Sequence, residues 1–562
     1  MIRHDNPLIV QGDKSVLVEV DSPRYELARN SLIRFAELEK SPEHIHTYRI
    51  TPLSLWNAAA SGLTAQQVIV DLIEYSKYDV PQNVQRDIVE YTARFGKIKL
   101  DRTDNPEELY LSSVDPFIIE KIIHYKATIP YVDRIVDANT LVVKAEFRGI
   151  IKQQLIKMGF PVEDLAGYQE GDPYPIEILD ETAGGMPFSL RHYQIEAVEA
   201  FYQSGSVRGG SGVIVLPCGA GKTIVGIGAM EKIKTQTLIL CTNVVAVRQW
   251  IDEILDKTTV KKEDIGEYSG EKKEIKPITV STYQILTYRK DKTAGFPHFK
   301  LFNSLKWGLI IYDEVHLLPA PVFRITASIQ STRRLGLTAT LVREDGRESD
   351  VFSLIGPKKQ DIPWKDLEKD GWIATAVCHE IRVNLKDHMR MQHAISSSRV
   401  QYRIACENPA KIPVIEYLLE KHKDDNVLVI GQFLTQLHEI ADHINAPIIT
   451  GSTKNEERQK LYDDFKKGRL KILIVSKVAN FSIDLPDANV AIQVSGTFGS
   501  RQEEAQRLGR ILRPKKHGEH AHFYSVITRE TVDQKYSAKR QLFLTEQGYS
   551  YEIIDGENFL QQ

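Results

Sequence analysis

Apolar residues from Phe188 onward follow two alternating spacings. Short continuous apolar runs alternate with longer segments in which apolar residues recur every three or four positions, as in SGVIVLPC followed by TIVGIGAMEKI. The first kind of run predicts a buried strand, and the second kind predicts an amphipathic helix. Further runs of the first kind are TLILCTN, PITVSTY, LIIYDEV and RRLGLTAT. This alternation predicts βαβ units that build a parallel sheet.

A second array of the same kind follows along the chain. Its apolar runs are NVLVIGQF, APIITGS, KILIVS, NVAIQVS and AHFYSV. The sequence therefore predicts an α/β protein with two tandem nucleotide-binding folds, whose ligands lie at the carboxyl ends of the strands. We place the first fold at residues 176–365 and the second at residues 409–562, joined by a polar connector at residues 366–408.

The region before these arrays has a different pattern. Residues 1–105 are charged and helical in pattern, and the segment TPLSLWNAAASG has a capping residue before an apolar run. We interpret these residues as a helical module that resembles a winged helix. Residues 106–175 mix strand and helix patterns, as in VDANTLVVKAEF and EFRGIIKQQLIKMGF, and predict a small mixed α/β module. Together the two stretches form an additional N-terminal α+β region.

Composition narrows the class of protein. The chain has 562 residues, more than one hydrophobic core organises, so we expect three or four domains. Its 42% hydrophobic and 26% charged residues are typical of a soluble protein, and its net charge of −3 excludes a uniformly basic binder of polyanions. The four cysteines contain no CxxC pair, which argues against a zinc knuckle or a disulfide framework. No run of about 18 apolar residues occurs, so we expect a cytoplasmic protein without a membrane span.

A glycine-rich run, LPCGAGKT, connects a predicted strand to a predicted helix. Its two glycines let the backbone approach phosphate oxygens, its lysine would reach the β- and γ-phosphates of ATP, and its threonine would hold Mg²⁺. N–H groups at the start of the helix would add to phosphate binding. A surface GKT triplet is the alternative, which the flanking strand and helix disfavour. The predicted nucleotide-binding residues of this loop are Leu216, Pro217, Cys218, Gly219, Ala220, Gly221, Lys222 and Thr223, with Leu216 at the position of the first glycine of the strict motif.

The run YDEVH ends another predicted strand. Asp313 would bind the metal together with Thr223, and Glu314 would activate the attacking water. Burying a carboxylate pair at the end of a strand costs free energy unless a cation compensates the charge. The alternative interpretation is that this strand end is exposed to solvent. Upstream of the phosphate loop, Gln194 in FSLRHYQIEAVEAF could bond the donor and the acceptor of an adenine edge, with Arg191 or Tyr193 packing nearby. A surface glutamine on an amphipathic helix is the alternative there.

The run GLTATLVRED follows the last strand of the first array. The hydroxyls of Thr338 and Thr340 could bridge the nucleotide site and the interface between the two folds. A charge cluster lies just beyond them, for which a solvated turn is the alternative. Its members are Arg343, Glu344 and Asp345.

The run EEAQRLGRILRP lies on the second array and has helical spacing. Gln506, Arg510 and Arg513 would share one helical face. Arginines that reach a nucleotide across an interface stabilise the charge on the transferring phosphoryl group. A basic, solvated helix is the alternative.

Several polar positions follow predicted strands and are candidates for phosphate contacts with a nucleic acid. They are Arg248, Thr282, Gln432, Thr450 and Gly451. Basic residues of the second array could add a field that does not depend on base sequence. They are Lys466, Lys467, Arg469, Lys471, Lys515 and Lys516. Each of these positions, taken singly, could be a loop cap or a solvated surface.

The motifs together resemble the XPB family of superfamily 2, DExH-type DNA helicases, in its bacterial form. The residues that carry the resemblance are RHYQ, LPCGAGKT, DEVH, GLTATLVRED, QRLGRILR and the tail YSAKRQLFLTEQGYSYEII, over residues 188–554. The resemblance extends into the N-terminal region through ELEKSPEHIHTYRITPLSLWNAA. The resemblance implies two RecA-like motor domains, ATP hydrolysis, 3′-to-5′ translocation, opening of a DNA duplex and a role near DNA repair.

The resemblance also assigns roles to residues. It implies that Lys222, Asp313 and Glu314 are catalytic together with Gln506, and that Arg510 and Arg513 are arginine fingers. The residues expected in coupling and strand separation are His316, Thr338, Thr340, Arg343, Glu344, Asp345 and Asp484. Two features depart from the family pattern. The connector is short for the thumb-like insertion of some relatives, and the segment SKVANFSIDLP has Asn480 and Phe481 where relatives have a more acidic or small-residue run.

We therefore predict an ATP-dependent 3′-to-5′ DNA helicase with ATP and Mg²⁺ as cofactors and single-stranded or forked DNA as partner. We expect residues 106–175 to interact with DNA and the protein to be a monomer, with a nuclease partner by family analogy only. Three alternatives stay open at this point. They are a double-stranded DNA translocase that does not separate strands, an RNA-stimulated ATPase and an ATP-gated DNA-binding scaffold.

Overall fold

The computed structural model describes residues 3–42, 44–217, 219–291, 296–330, 332–340, 348–476, 488–496 and 520–559. These residues form two compact units. The first unit extends to Ile362, except that Leu38–Pro42 and Pro217–Ala220 group with the second unit, whose main part begins at Pro363. Within the described residues, no helix is long and apolar enough to span a bilayer.

The first module of the first unit combines short strands with four helices. The hydroxyls of Thr51 and Thr64 accept hydrogen bonds from the N–H three residues later, which starts two of the helices. The elements are β1 (Leu8–Val10), β2 (Ser15–Glu19), α1 (Tyr25–Leu32), β3 (Glu37–Lys40), β4 (Ile45–Arg49), α2 (Pro52–Ala60), α3 (Ala65–Tyr75) and α4 (Gln82–Thr92). Strand β2 pairs antiparallel with β1 and β4. Residues 1–105 are thus less purely helical than their pattern predicted, because strands such as ELEK and IHTYR are short and rich in charged residues.

The second module contains a five-stranded mixed sheet in the order β7-β8-β6-β5-β9. Its elements are β5 (Ile98–Arg102), β6 (Glu108–Ser113), α5 (Pro116–His124), β7 (Val132–Asp137), β8 (Thr140–Lys144), α6 (Arg148–Lys157) and β9 (Val162–Asp164). Helices α5 and α6 supply Ile119 and Leu155 to the same apolar core as the strands. The antiparallel pair β5–β6 crosses the boundary drawn at residue 105, because the Asp-Asn-Pro turn between them has the composition of a linker.

The first parallel sheet has seven strands in the order β12-β13-β11-β14-β15-β10-β16. The strands are β10 (Ser211–Val215), β11 (Thr237–Cys241), β12 (Ile265–Tyr268), β13 (Ile278–Thr282), β14 (Leu309–Asp313), β15 (Arg333–Thr338) and β16 (Lys358–Asp361). The helices of this part are α7 (His192–Tyr202), α8 (Lys222–Ile233), α9 (Val244–Lys257), α10 (Tyr283–Thr287), α11 (Ala320–Ser328) and α12 (Glu348–Leu354). Its central strands are almost wholly buried, as continuous apolar runs require in a sheet covered on both faces.

The second unit contains the other parallel sheet, in the order β19-β20-β18-β21-β22-β17-β23. The strands are β17 (Ala376–Val383), β18 (Val427–Gly431), β19 (Ile448–Ile449), β20 (Ile472–Ser476), β21 (Val490–Gln493), β22 (Ala521–Thr528) and β23 (Tyr551–Asp555). The helices are α13 (Trp364–Lys369), α14 (Asp387–Ile395), α15 (Ser398–Cys406), α16 (Lys411–Lys421), α17 (Leu434–Ile444), α18 (Asn455–Lys466), α19 (Val532–Glu546) and α20 (Gly556–Phe559). Two parallel sheets and an N-terminal α+β region confirm the predicted fold class.

Strand β17 lies inside residues 366–408, the stretch that the sequence predicted as a connector. It pairs in parallel with β22 on one side and with β23 on the other. Its charged Glu380 is buried and accepts hydrogen bonds from Ser537 and Gln541 of α19, while Arg382 donates to it at 2.6 Å. These partners satisfy the carboxylate, so a charged segment forms an internal strand that apolar periodicity alone does not reveal.

A cluster of aromatic side chains lies across the adjacent strands β17 and β22. His379 stacks on Tyr524 with ring centroids 4.6 Å apart, and His422 and His522 have centroids 5.1 Å apart. Burial, followed by the proximity of His422 and His379, lowers the pKa of His522 to about 4. Asp425 accepts from His422 at 2.9 Å, and the charge of Lys421 adds to the repulsion of a protonated His522. The fold therefore favours the neutral imidazole of His522.

This cluster predicts that acid destabilises the second unit. Below pH about 6.5 the unfolded chain protonates His522 while the folded unit does not, so the free energy of unfolding falls until pH about 4. We expect a loss of about 2 kcal/mol after allowing for the partial exposure of the ring. Amide hydrogen exchange of β22 at pH 7 and pH 5 measures it. His522→Phe should flatten the dependence, while His438→Gln on the exposed face of α17 should not; an unchanged slope in His522→Phe would contradict the assignment.

Candidate active site

The predicted phosphate loop connects β10 to α8. The N–H of Leu216 donates to the carbonyl of Thr338 at 2.9 Å, which ties the start of the loop to the end of β15. Gly219 and Gly221 have φ angles of 83° and 82°, in the left-handed region that glycine adopts without strain. Gly221 is the N-cap of α8, so the first N–H groups of the helix face the loop, as in anion-binding helix termini.

Lys222 and Glu314 form a buried ion pair at this loop. The Nζ of Lys222 donates to Oε1 of Glu314 at 2.6 Å, and the two side chains are 12% and 16% exposed. Burial would raise the pKa of Glu314, but the positive charge of Lys222 outweighs it and lowers this pKa below its usual value. Glu314 also has a φ of 50°, a strained backbone conformation of the kind that occurs at functional sites.

Asp313 ends β14 beside Glu314. Its Oδ2 accepts a hydrogen bond from Nε1 of Trp250 at 3.0 Å, and its carbonyl accepts one from the hydroxyl of Tyr283 at 2.9 Å. Burial, followed by the negative charge of Glu314, raises the pKa of Asp313 to about 6. Neither Trp250 nor Tyr283 was among the residues predicted for this site, because their contacts with Asp313 join positions that are far apart in the sequence.

The side chains at this point fit Mg²⁺. Asp313 and Thr223 offer oxygen donors, and Mg²⁺ is usually held by one or two carboxylates together with substrate phosphates and water. Within the described residues, no group of three or more His, Cys, Asp and Glu side chains could hold a metal ion without such help. A cation bound at this point would offset the cost of burying the negative charge of Asp313.

A chain of polar contacts leads from Glu314 to the end of β15. His316 is buried, with Nδ1 3.5 Å from Oε2 of Glu314 and 2.6 Å from the hydroxyl of Thr338. The Thr338 hydroxyl in turn donates to the carbonyl of Thr340 at 2.5 Å. The structure thus brings His316, Thr338 and Thr340 together with the carboxylate that the sequence assigned to hydrolysis.

Arg191 and Gln194 lie at the start of α7. The amide oxygen of Gln194 accepts from the N–H of Arg191 at 2.9 Å, and the Arg191 guanidinium donates to the hydroxyl of Tyr193 at 3.1 Å. Gln194 is 3% exposed rather than a surface residue. Its amide nitrogen would lie 2.4 Å from a Cβ added at Gly221, so Gln194 packs directly against the phosphate loop.

Gly221→Ala should weaken ATP binding. The substitution places a Cβ 2.4 Å from Nε2 of Gln194 and forces alanine to a φ of 82°. Alanine would relax out of the left-handed conformation in the free chain, and restoring that conformation for ATP costs about 1–2 kcal/mol, which is roughly a tenfold loss of affinity. Equilibrium titration with a fluorescent ATP analogue measures the change. Gly270→Ala is the control, since nothing lies within 4 Å of a Cβ there; equal ATP affinity in both variants would contradict this account of the loop.

The candidate nucleic-acid residues occupy strand ends and loops of both units. In the first unit, Arg248 of α9 pairs with Glu271 and lies 3.8 Å from Glu267, and the hydroxyl of Thr282 caps α10. In the second unit, Gln432 follows β18, and Thr450 and Gly451 follow β19. The N–H of Gln432 donates to Ser495 at 2.9 Å, and the Thr450 hydroxyl lies 2.8 Å from that of Ser452. Their contacts with nucleic acid stay predictions.

Several predicted residues lie outside the described part of the chain. They are Cys218, Arg343, Glu344, Asp345, Asn480, Phe481, Asp484, Gln506, Arg510, Arg513, Lys515 and Lys516. Their roles stay predictions. The described part of the site therefore comprises the phosphate loop, the acidic pair and the residues that contact them.

Two parallel sheets, with a phosphate loop after one strand and a carboxylate pair after another, define a motor ATPase of the helicase class. Comparison with known proteins identifies the family. A model of the ERCC3/RAD25/XPB C-terminal helicase matches residues 367–562, one of the type III restriction enzyme res subunit matches residues 187–343, and one of a helicase conserved C-terminal domain matches residues 8–134.

Curated relatives extend this match to the whole chain. The chain is 54% identical over 558 residues to the DNA 3′-5′ helicase XPB of Mycobacterium tuberculosis, with 99% of both chains covered. It is 51% identical to the protein of the same name from Kineococcus radiotolerans, over 99% of this chain and 97% of the relative. It is 36% identical to the general transcription and DNA repair factor IIH helicase/translocase subunit XPB of Enterocytozoon bieneusi, over 99% and 93%. The chain therefore belongs to the XPB family of helicases, which confirms the predicted resemblance.

Proposed function

We propose that this chain is an ATP-dependent 3′-to-5′ DNA helicase that couples ATP hydrolysis to translocation and to opening of the duplex, in DNA repair. The observation that carries the proposal is the buried contact of Lys222 with Glu314, next to Asp313 and at the end of a glycine loop. This arrangement holds the three groups that phosphoryl transfer requires, namely a phosphate-binding cation, a metal-binding carboxylate and a base. The names of the full-length relatives support the choice of DNA and of direction.

Lys222 and Glu314 neutralise each other in their ion pair. When ATP binds, the β- and γ-phosphates compete with Glu314 for the Lys222 ammonium. The freed carboxylate then orients the attacking water and accepts its proton. Thr223 and Asp313 are the residues that would hold Mg²⁺, which when bound neutralises charge on the phosphates. Trp250 keeps the Asp313 carboxylate oriented.

The contacts from Glu314 through His316 to Thr338 and Thr340 support a role in coupling. When Glu314 exchanges its charge partner, the electrostatic field at the imidazole of His316 changes. This imidazole is hydrogen-bonded to Thr338 at the end of β15. The chain continues from there into the segment with Arg343, Glu344 and Asp345, which we propose as the strand-separating element. Arg510 and Arg513 are the proposed arginine fingers, with Gln506 beside them, and Asp484 the proposed coupling residue of the second motor domain.

Strand displacement on paired substrates tests the proposal. Duplexes with a 3′ or a 5′ single-stranded tail are incubated with ATP and Mg²⁺, and ATP hydrolysis and released strand are measured together. We expect displacement only from the 3′-tailed duplex and hydrolysis stimulated by DNA more than by RNA. Displacement from the 5′-tailed duplex alone would reverse the polarity, and the absence of DNA-stimulated hydrolysis would leave only an ATP-gated scaffold.

A double-stranded DNA translocase is the second candidate. A eukaryotic relative of the chain carries the name helicase/translocase subunit, which favours this reading in part. Arg343→Ala discriminates between the two, because loss of unwinding with intact ATP hydrolysis supports the helicase. A forked substrate, a nuclease partner, a monomeric state and a cytoplasmic location stay predictions.

A further inference from the structure

A cavity of about 320 Å³ lies within the first unit, where the first module, the second module and the first parallel sheet meet. Its apolar wall includes Phe95, Ile156 and Phe352, and the two phenyl rings meet edge to face with centroids 6.4 Å apart. Its cationic wall includes Lys152, Arg208 and Lys359. A volume in this range, with an apolar wall and polar groups that converge on it, is typical of sites for small molecules.

The cavity lies at the opposite edge of the sheet from the phosphate loop. Ser211, the first residue of β10, lines the cavity, whereas the phosphate loop follows Val215 at the other end of the same strand. Lys359 is the second residue of β16, which runs parallel to β10. A five-residue strand separates the two places by about 15 Å. A ligand here would not compete with ATP for space.

The carboxylates that line the cavity already have cationic partners. Asp164 accepts from Lys152 at 2.8 Å and from Arg148 at 2.8 Å, and Glu163 accepts from Arg208 at 2.9 Å. Neither carboxylate is therefore left to neutralise another charge. The negative side of the cavity wall is compensated by its own ion pairs.

Lys359 differs from these cations. Its Nζ donates to the carbonyl of Arg208 at 2.9 Å, and among the described residues no carboxylate lies within ion-pairing distance of it. Burial, followed by the charge of Arg208, lowers the pKa of Lys359 to about 8. Its stem is held against the backbone, since a Cβ added at Gly212 would lie 2.4 Å from Cγ of Lys359. An anion in the cavity would compensate the charge of an ammonium held in this way.

We propose that this cavity is a second ligand site, which binds a small anionic molecule whose negative group contacts Lys359 and whose apolar body packs against Phe95 and Phe352. The aromatic wall excludes a fully hydrated ion as the best occupant, and the excess positive charge excludes a neutral one. The ligand would contact the first module, the second module and the first parallel sheet at the same time.

Phenyl phosphate serves as the probe, because it joins a dianion to an aromatic body. Isothermal titration is done on the full chain saturated with Mg²⁺ and ADP, so that the phosphate loop is occupied. Lys359→Met should weaken binding about tenfold or more, as expected for a charge-assisted hydrogen bond. Lys358→Met is the matched control, since Lys358 pairs with Asp361 at 2.7 Å. Benzyl alcohol and inorganic phosphate should each bind more weakly than phenyl phosphate. Absence of binding, or equal binding by Lys359→Met, would overturn the site.

A second measurement needs no variant. Reductive methylation followed by mass spectrometry gives the reaction rate of each lysine, and phenyl phosphate should slow the rate at Lys359 and leave Lys358 unchanged. An unaltered rate at Lys359 in the presence of the probe would overturn the proposal.

In the ligand-free chain, Lys359→Met should also raise the unfolding midpoint, because it removes an uncompensated charge. A lower midpoint would instead make Lys359 a structural residue.

Discussion

Glu314→Gln should abolish ATP turnover while ATP still binds. The substituted amide cannot accept the proton of the attacking water, and loss of a positioned general base reduces the rate by about 10²–10⁴-fold. The amide also no longer forms an ion pair with Lys222, so the ammonium is free for the phosphates and ATP affinity should hold or rise. Single-turnover hydrolysis together with titration of a fluorescent ATP analogue measures both quantities.

The matched control for this variant is Glu199→Gln. Glu199 pairs with Lys232 at 2.7 Å, but both side chains are 43% exposed and lie on the solvent side of α7 and α8. Exposed pairs contribute about 0–1 kcal/mol, so turnover and stability should match the parent chain. Near-normal hydrolysis by Glu314→Gln would remove Glu314 from the mechanism and would point to another base.

Asp533→Asn should destabilise the second unit strongly. Asp533 is fully buried, and its Oδ2 accepts from Nζ of Lys411 at 2.8 Å and from the N–H of Thr528 at 3.1 Å. Lys411 is equally buried and also donates to the carbonyl of Val494. Removing one member of a buried pair leaves the other charge without compensation, at a cost of about 3–5 kcal/mol.

Hydrogen exchange localises this effect. Amides of β18 and β22 in the second unit should lose protection in Asp533→Asn, while those of β11 in the first unit should keep it. Adding Lys411→Met to Asp533→Asn should restore part of the loss, because it removes one of the two buried charges that Asp533 compensates, the other being Arg540 at 3.9 Å. Asp464→Asn is the control, since Asp464 pairs with Arg469 on the surface at 3.1 Å. Equal protection in Asp533→Asn and in the control would contradict a stabilising role for the buried pair.

The sequence predicted the fold class because the strands of both arrays are continuous apolar runs. TLILC and VLVIG become central strands that are buried on both faces, so their composition alone indicates where they lie. Strand β17 was not predicted because it contains a charged residue, Glu380, which apolar spacing places on a solvent-facing position. In the structure Glu380 is buried and accepts hydrogen bonds from side chains of α19. The strands of the first module were not predicted for a related reason, because they are short and contain charged residues.

In the candidate site, too, some residues could be predicted from the sequence and others could not. The glycines and lysine of the phosphate loop are contiguous, so their spacing alone indicates a bend that passes close to phosphates. No local spacing indicates the role of Trp250, because a tryptophan on the apolar face of a helix is predicted to be a hydrophobic core residue. Its hydrogen bond to Asp313 depends on two residues 63 positions apart, and the sequence contains no periodicity over that distance.

The sequence by itself determined the α/β class, the order of the two motor folds, the phosphate loop and the acidic pair, since each is encoded by neighbouring residues. Only the tertiary structure decided which charges meet. Lys222 and Glu314 are 92 positions apart and become an ion pair because parallel strands bring their carboxyl ends to one edge of a sheet. At the opposite edge, the same packing leaves Lys359 without a carboxylate partner among the described residues. Electrostatic compensation depends on distance in space, which local sequence does not encode.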